Sequence, residues 1–411
     1  MPRVFVTDGN LRSTLAAVRS MGRAGAWVGV GETAPRSLAG ASRYCRERIV
    51  YPSPYNAPEA FQAFLLQRLP AMGYTHLLAT SDVTVQLAAP LKPQLEGRVT
   101  VMSASAEALE QVQNKAVMLE EAYRAGIGVP RTITGCGRAE LLQFAEEVGF
   151  PLVVKPRRSR ELAFGHWRTG AVRYAWTPDE LIELYDKCPV PEPLVQERVI
   201  GEGRGVFLLM WNGEVKAAFS HRRLREKPPW GGVSVLSESV PLDEELARLA
   251  ADLLRRMKWQ GPAMVECKVD GLTGEPKLME VNGRYWGSLQ LALDAGVDFP
   301  ALHLALASGA KVESKIHSRE GVKCRWLLGD LDALVSRWRA TPRQKQLMVR
   351  PASRMRSLLE FLQFVAPGLH YDVMSWRDPA PAWFELRGYL SENLHLAARA
   401  AGFSRARAES L

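Results

Sequence analysis

Two apolar runs carry charges on alternate positions: "MVECKVD" (264–270) and "KLMEVNGR" (277–284), joined by the glycine-containing turn "GLTGEP". In extended backbone, residues two apart share a face. Glu266 therefore lies with Lys268 and Asp270, and Glu280 with Asn282 and Arg284. A hairpin that sets Glu266 opposite Glu280 gathers two carboxylates and an amide oxygen in one cluster. Two bare carboxylates that close resist joint ionisation. A divalent cation resolves the conflict, and an all-oxygen donor set points to magnesium, with manganese as the substitute. Arg284 beside them would neutralise negative charge developing on a phosphoryl group or an acyl phosphate.

The preceding chain alternates strand and helix patterns. "RVFVTDG", "AWVGVG", "THLLATSD" and "RVTVMS" read as strands. "NLRSTLAAVRSMGRAG" and "APEAFQAFLLQRLPAMG" read as helices with Leu11, Leu15, Val18 and Met21, and Phe61, Phe64, Leu65 and Leu69, at helical spacing. That order predicts a parallel sheet with crossover helices. Its ligand edge lies beyond the strand carboxyl ends, where Thr7, Asp8, Gly9, Thr80, Ser81 and Asp82 fall. "SAEALEQVQNKAVMLEEAYRAG" predicts one long helix ending at Gly126. "PLVVKPR" predicts a strand ending at Lys155. Residues 192–226 alternate like antiparallel strands around the hairpin turn "WNGEV". Residues 321–411 are helical in pattern and rich in Trp and Arg. The basic stretch 331–365 reads first as a packed helical appendage and second as a peripheral contact with an anionic membrane.

The 411 residues carry 53 Lys and Arg against 44 Asp and Glu, a formal charge of +9. The excess concentrates at 155–160, 221–227 and 338–356 rather than in one tail. It suits anionic small molecules; no nucleic-acid-binding motif accompanies it. No apolar run reaches the ~20 residues of a membrane-spanning helix. The N-terminus enters a strand pattern with no leader-like segment, so a cytoplasmic enzyme is the expectation. The five cysteines are scattered without metal spacing and receive no role.

"MVECKVD…KLMEVNGRYWGSLQLALDAGVDFP" resembles the metal-binding end of ATP-grasp enzymes, above all the carbamoyl-phosphate-synthase-like branch and the ATP-dependent carboligases. The resemblance covers about residues 1–330. It implies an α/β chain with a Rossmann-like pre-ATP-grasp domain (1–112), a lid subdomain with its linker helix (113–195), an antiparallel-sheet core (196–320) and a helical C-terminal region (321–411). It further implies that Lys115 and Lys155 bind the nucleotide phosphates. Gln196 takes the adenine-amino position, with the backbone of Glu197, Arg198 and Val199 along the adenine edge, and Glu202 stands near the ribose. Glu266, Glu280 and Asn282 would hold Mg2+, and Arg284 would serve the reacting phosphate. Three departures stand out. The segment after Lys155, "RRSRELAFGHWRTGAV", has few glycines, so Arg157, Arg158 or Arg160 could supply charge to the phosphates. Gly203 falls where the ribose-binding acid is expected. Gly283 replaces the commoner proline before Arg284.

In "FSHRRLREKPPWGGVSVLSESV", strand alternation turns His221, Arg223 and Arg225 one way and Arg222 the other. Arg225 joins Arg284 as a candidate catalytic arginine. His221, Arg222, Arg223, Gly231, Gly232 and Ser234 are candidate substrate contacts, the Gly-rich loop offering backbone N–H groups to an anion. His221 taken alone is more simply a core histidine than a base. The function implied is an ADP-forming ligase that joins a carboxylate to an amine through an acyl phosphate. Alternatives are a bicarbonate-activating, carbamoyl-phosphate-synthase-like enzyme and a non-catalytic nucleotide-binding scaffold. Relatives of this kind are often dimers, so a homodimer is a further expectation.

Overall fold

The structure is a computed structural model that describes residues 1–163 and 165–408, the stretch 395–408 as helix backbone only. Five parallel strands open the chain: β1 (Arg3–Val6), β2 (Trp27–Glu32), β3 (Cys45–Val50), β4 (His76–Leu78) and β5 (Thr100–Val101), in the order β3-β2-β1-β4-β5. β1 and β4 bury the apolar Val4, Phe5, Val6, Leu77 and Leu78, as a sheet covered on both faces requires. β3 alternates half-buried and exposed residues along "CRERIV". An edge strand built this way lacks the apolar run by which its neighbours announce themselves, and the sequence reading passed over it. The carboxyl ends of β1 and β4 bring Asp8 and residues 80–84 together. Asp8 Oδ2 accepts from the Ser81 amide at 3.1 Å and the Thr80 hydroxyl at 3.3 Å, so this carboxylate is used inside the domain. Asp82 starts the next helix, Asp82–Ala88, behind the capping residue Ser81.

The long helix expected before Gly126 is two helices, Ala106–Gln113 and Lys115–Arg124. Asn114 ends the first and caps the second, its Oδ1 accepting from the amides of Ala116 and Val117. The break turns the start of the second helix, and with it Lys115, toward the following domain. There β6 (Thr132–Ile133), β7 (Leu152–Lys155), β10 (Arg173–Ala175) and β11 (Leu194–Gln196) form a four-stranded antiparallel sheet in the order β10-β7-β11-β6. β8 (Arg160–Ala163) and β9 (His166–Thr169) make a separate two-stranded ribbon. That ribbon rests on the first domain: Trp167 Nε1 donates to the Pro54 carbonyl at 2.9 Å, and Arg160 reaches the Tyr55 hydroxyl.

The third sheet has seven strands: β12 (Gly201–Trp211), β13 (Glu214–Lys227), β14 (Val233–Ser239), β15 (Gly261–Asp270), β16 (Pro276–Asn282), β17 (Lys323–Arg325) and β18 (Leu369–Tyr371). Their order is β16-β15-β12-β13-β14-β17-β18. Asn212 and Gly213, at φ 51 and 79, form the tight turn that "WNGEV" predicts. The helix Glu244–Arg256 buries Leu246, Ala250, Leu253 and Leu254 on one face. After residue 321 the expected helices are present, but β17 and β18 extend the core sheet as well. Their three-residue length leaves no periodicity to read. The helix Leu327–Trp338 packs Ala333 and Leu334 inward and Leu347 is buried, so the first part of 331–365 is packed, whereas Met355, Leu359, Leu362 and Val365 stand exposed.

The C-terminal region is pinned to the first domain by a buried ion pair. Arg19 Nε lies 2.8 Å from Asp378 Oδ2, while its terminal nitrogens donate to the carbonyls of Asp372, Val373 and Asp378. Asp378 also accepts from the Ser42 hydroxyl and the Arg43 amide. Removing one member leaves the other buried and unpaired, which costs about 3–5 kcal/mol. Arg19→Ala is therefore expected to lower unfolding free energy by that amount in urea titrations. A loss below about 1 kcal/mol would show that this pair does not hold the two regions together.

Candidate active site

β15 and β16 pair in antiparallel register with Val265 opposite Val281 and Glu266 opposite Glu280. The two carboxylates expected to meet are thus direct cross-strand partners. Between Glu266 and Cys267 the register shifts, because Leu278 is the next partner and Met279 is extra. This bulge frees the Met279 carbonyl, which lies 3.5 Å from Lys155 Nζ at the end of β7. Lys155 is buried. Lys115 is buried too, its Nζ donating to the Ser159 hydroxyl at 2.8 Å and its amide to the Arg157 carbonyl at 2.9 Å.

The two carboxylates sit in different fields. Burial pushes the Glu266 carboxyl up, against the pull of Arg223, whose Nη2 is 2.6 Å away; the charge of Glu280 adds to the rise. Burial would also raise Glu280, but Lys115, the Asn282 amide at 2.9 Å, Lys155 and Arg284 outweigh it and hold the group below its ordinary value. Burial brings the Lys155 ammonium down from 10.5 to about 8, helped by Lys115 and opposed by the two glutamates. The chain thus sets two acids and two lysines against each other in a dry site, a pattern typical of functional clefts.

Arg284 is held by three groups. Its Nε and Nη2 lie 2.8 and 3.2 Å from the two Asp82 oxygens, and it also donates to the Tyr285 carbonyl and to Asn282 Oδ1. Gly283 makes this geometry available by close approach: a Cβ there would sit 2.3 Å from the ring of the buried Trp259. Glycine here fixes Arg284 rather than loosening it. Asp82, Lys115, Ser159, Arg160, Glu280 and Asn282 line one small cavity of about 40 Å³ where the three sheet-bearing regions meet. Arg157 and Arg158, the other arginines after β7, pair instead with Glu192 and Glu110.

Among the described residues no three His, Cys, Asp or Glu side chains converge. Glu266, Glu280 and the Asn282 oxygen form an all-oxygen set with only two carboxylates. Such a set fits a magnesium ion that completes its shell with water and substrate oxygens. The upward push on Glu266 marks a site where added positive charge is favourable.

The strand joining the upper sheet to the core ends at Gln196, which is buried with its Nε2 on Thr132 Oγ1 at 2.8 Å. The Glu197 amide donates to the Arg131 carbonyl, and its carboxylate pairs with Lys277 at 2.6 Å. Arg198 reaches the Gln346 carbonyl, and the Val199 carbonyl accepts from Lys268 at 3.4 Å. Glu202 lies on β12 bound to Arg350 at 2.7 Å.

Several expected contacts do not reach the carboxylates. β13 carries register irregularities between Arg223 and Glu226, which break the alternation assumed for Arg223 and Arg225. Arg223 reaches Glu266, whereas Arg225 makes a two-pronged pair with Asp330 at 2.6–2.7 Å. Arg222 binds Glu238 on β14. His221 is buried, stacked on Phe207 with ring centroids 4.6 Å apart, and burial pushes its pKa down to about 3. It is a neutral core residue. Gly231 donates its amide to the Pro228 carbonyl within the loop, and Gly232 offers its carbonyl to Arg223 of β13. Ser234 bonds the Leu236 carbonyl at 3.4 Å. Sequence reasoning missed the pairing of Asp82 with Arg284. Its only signal was the position of Asp82 at a strand carboxyl end. Ser159 carried no signal at all.

The comparisons with known proteins agree with this architecture. A family model described as "ATP-grasp in the biosynthetic pathway with Ter operon" matches residues 190–329. The carbamoyl phosphate synthase large chain of Thermus thermophilus is 28% identical over 230 residues, 52% of this chain and 22% of that one. An uncharacterized protein of Sinorhizobium fredii, y4rH, is 26% identical over 253 residues, 55% of this chain and 48% of that one. The chain thus spans between about a fifth and a half of these curated relatives. Among solved structures, N5-carboxyaminoimidazole synthetase from Staphylococcus aureus superposes with TM-score 0.64 at 15% identity, over 83% of this chain and 86% of that one. The biotin carboxylase domain of Hydrogenobacter thermophilus 2-oxoglutarate carboxylase, crystallised as a dimer with MgADP, ADP and bicarbonate, gives 0.63 at 14%, over 78% and 73%. The fold shared with them is the ATP-grasp fold.

The depressed Lys155 pKa makes a signed prediction. Between about pH 8 and 10.5 the unfolded chain holds a proton on this lysine that the folded protein has released. Stability therefore gains with pH across that window, and the cost of burying Lys155 is fully present below pH 8. Lys155→Met removes the cost. It should be more stable than the parent protein by up to about 3 kcal/mol at pH 7, with the gap closing toward pH 10 in denaturant titrations. A gap independent of pH would refute a depressed Lys155.

Proposed function

We propose that this chain, an ATP-grasp protein by fold and by its family match, is an ATP- and magnesium-dependent ligase that activates a carboxylate as an acyl phosphate and passes the acyl group to an amine. The observation that carries this reading is the cross-strand pair Glu266–Glu280 facing Lys155, Lys115 and Arg284. Glu266, Glu280 and Asn282 would hold magnesium, whose charge neutralises triphosphate oxygens when bound. Lys115 and Lys155 supply fixed positive charge from the linker helix and from β7. Arg160 belongs to the same cavity and brings a third charge from the β8–β9 ribbon. The nucleotide base would lie along residues 196–199.

In the first step a carboxylate oxygen bonds to the γ-phosphorus while the bond from that phosphorus to the ADP oxygen breaks. In the second, the amine lone pair attacks the acyl carbon, and the carbon–oxygen bond to phosphate breaks. The amine proton leaves to phosphate or solvent. Arg284, fixed by Asp82, is suited to stabilise oxyanions in both steps, because it needs no reorganisation as charge develops. The ribbon contact through Trp167 to Pro54 favours exclusion of water, which would otherwise hydrolyse the acyl phosphate. A second reading takes bicarbonate as the carboxylate; it draws on the bicarbonate bound in the biotin carboxylase neighbour. A homodimer is consistent with that neighbour's dimeric state.

ADP release is the deciding measurement. Turnover should require magnesium together with both a carboxylate and an amine, tested with pools of amino acids and small carboxylates. Dependence on bicarbonate instead would select the second reading. Glu280→Gln should lower turnover at least 100-fold, roughly 3 kcal/mol of transition-state stabilisation, with a largely unchanged unfolding temperature. Wild-type turnover in that variant would remove the metal assignment, and failure to bind MgADP would remove both ligase readings.

A further inference from the structure

A second cavity, of about 500 Å³, opens on the far side of β13 from Glu266, between β13, β14, β17 and the C-terminal segments. Its volume is that of a small-molecule site. Its floor is apolar where Leu224, Leu236 and Leu369 line it. Its walls carry Arg225, Lys323, Arg325, Arg337, Arg350 and Arg356, with Glu360 the acid among the lining residues.

The carboxylates near these cations are shared. Asp330 serves both Arg225 and Arg325; Glu238 serves Lys323 and Arg222; Glu202 serves Arg350 and Arg222. Arg356 pairs with Glu360 at 2.9 Å. Arg337 is half-buried and has no ion-pair or hydrogen-bond partner among the described residues. Burial pulls its pKa down, so an anion beside it would be favourable. No Arg337 nitrogen is among the buried, unpartnered polar atoms, so the guanidinium stays open to the cavity, where an entering anion can reach it. Asp330, held by Arg225 and Arg325 together, keeps two guanidinium groups fixed in the wall. Arg325 is further tied to the Phe361 and Gln363 carbonyls.

The cavity also adjoins the nucleotide cleft. Leu224, Arg225, Arg337 and Arg350 line a smaller hollow of about 50 Å³ as well, and that hollow is bounded on its other side by Arg223 and Lys268. Arg223 is the residue that binds Glu266. A chain of cations therefore runs from the proposed metal carboxylates to the large cavity.

We infer that this cavity binds a small molecule bearing at least two anionic groups, and that Arg337 is the cation it pairs with. Within the ligase reading on which this assignment rests, that molecule is the substrate joined in the reaction. One anionic group anchors it among the arginines, and its reactive end points along Arg225 and Arg223 toward the phosphates. Phosphorylated and purely carboxylic ligands share this chemistry.

Calorimetry on the full chain separates these cases, using 2-phosphoglycolate and tricarballylate as probes, each titrated with and without saturating MgADP. At least one probe should bind with MgADP present, which places it outside the nucleotide site. A preference for 2-phosphoglycolate indicates a phosphorylated ligand, and a preference for tricarballylate a polycarboxylate. Arg337→Gln should weaken that probe at least tenfold, and Arg337→Lys should restore most of the loss. MgADP affinity should stay within twofold of the parent protein in both variants. Binding of neither probe, or equal affinity in Arg337→Gln, would overturn the assignment. Failure of MgADP to bind would sink the ligase reading alone, because the nucleotide-free titrations still report on the cavity.

Discussion

The structure turns on two glutamates that face each other across a pair of strands. Glu266 and Glu280 are too close and too dry to be left alone. Their charge is met by Arg223 from the adjoining part of the core sheet, by Lys155 from the upper sheet, by Lys115 from the helix between the first two domains, and by Arg284 just beyond β16. Each cation comes from a different stretch of chain. The site is complete only when the separate units have come together around it. Folding and site assembly are then one event, since a displaced Arg223 would leave the buried Glu266 unpaired.

Small backbone irregularities decide which groups reach the cluster. The extra Met279 in β16 presents a carbonyl to Lys155, which a regular ladder would have consumed. The irregular stretch of β13 sends Arg223 to Glu266 and Arg225 to Asp330, although the two are only two residues apart. Asn114 breaks a helix so that Lys115 begins a new one, against Ser159 and Arg157. Gly283 lets the chain pass over Trp259 and brings Arg284 to Asp82. In each place one residue changes the direction of a charged side chain.

Those irregularities also mark the limit of what the sequence disclosed. The period-two pattern of 264–284 put each glutamate on one face of its strand, but their direct pairing depends on the bulge at Met279, which no period discloses. The parallel sheet was legible from its apolar strands, except β3, whose charged edge hides it. Period-two reasoning failed along 221–227, since it assumes a regular strand and β13 is not one. It grouped Arg225 with Arg223 and gave His221 a substrate role, although the ring is stacked in the core against Phe207. β17 and β18 are too short to show any period. Asp82 was legible only as a strand-end residue; its partner lies 202 positions away, and single-sequence patterns do not carry that distance.

The C-terminal region belongs to the same electrostatic design. Arg19 and Asp378 tie it to the first domain through a buried ion pair, and Arg225 and Asp330 tie it to the core sheet through a second, partly buried one. Such pairs add little net stability relative to apolar packing, but they punish misplacement strongly. They fix where a segment sits more than they strengthen it. What they fix here is the wall of arginines over β13 and β14. The chain's formal charge of +9 is therefore unevenly spent. Around Glu266 and Glu280 the cations are balanced by acids from the protein itself. Around Arg337 they are not, and the balance is left to whatever enters the cavity.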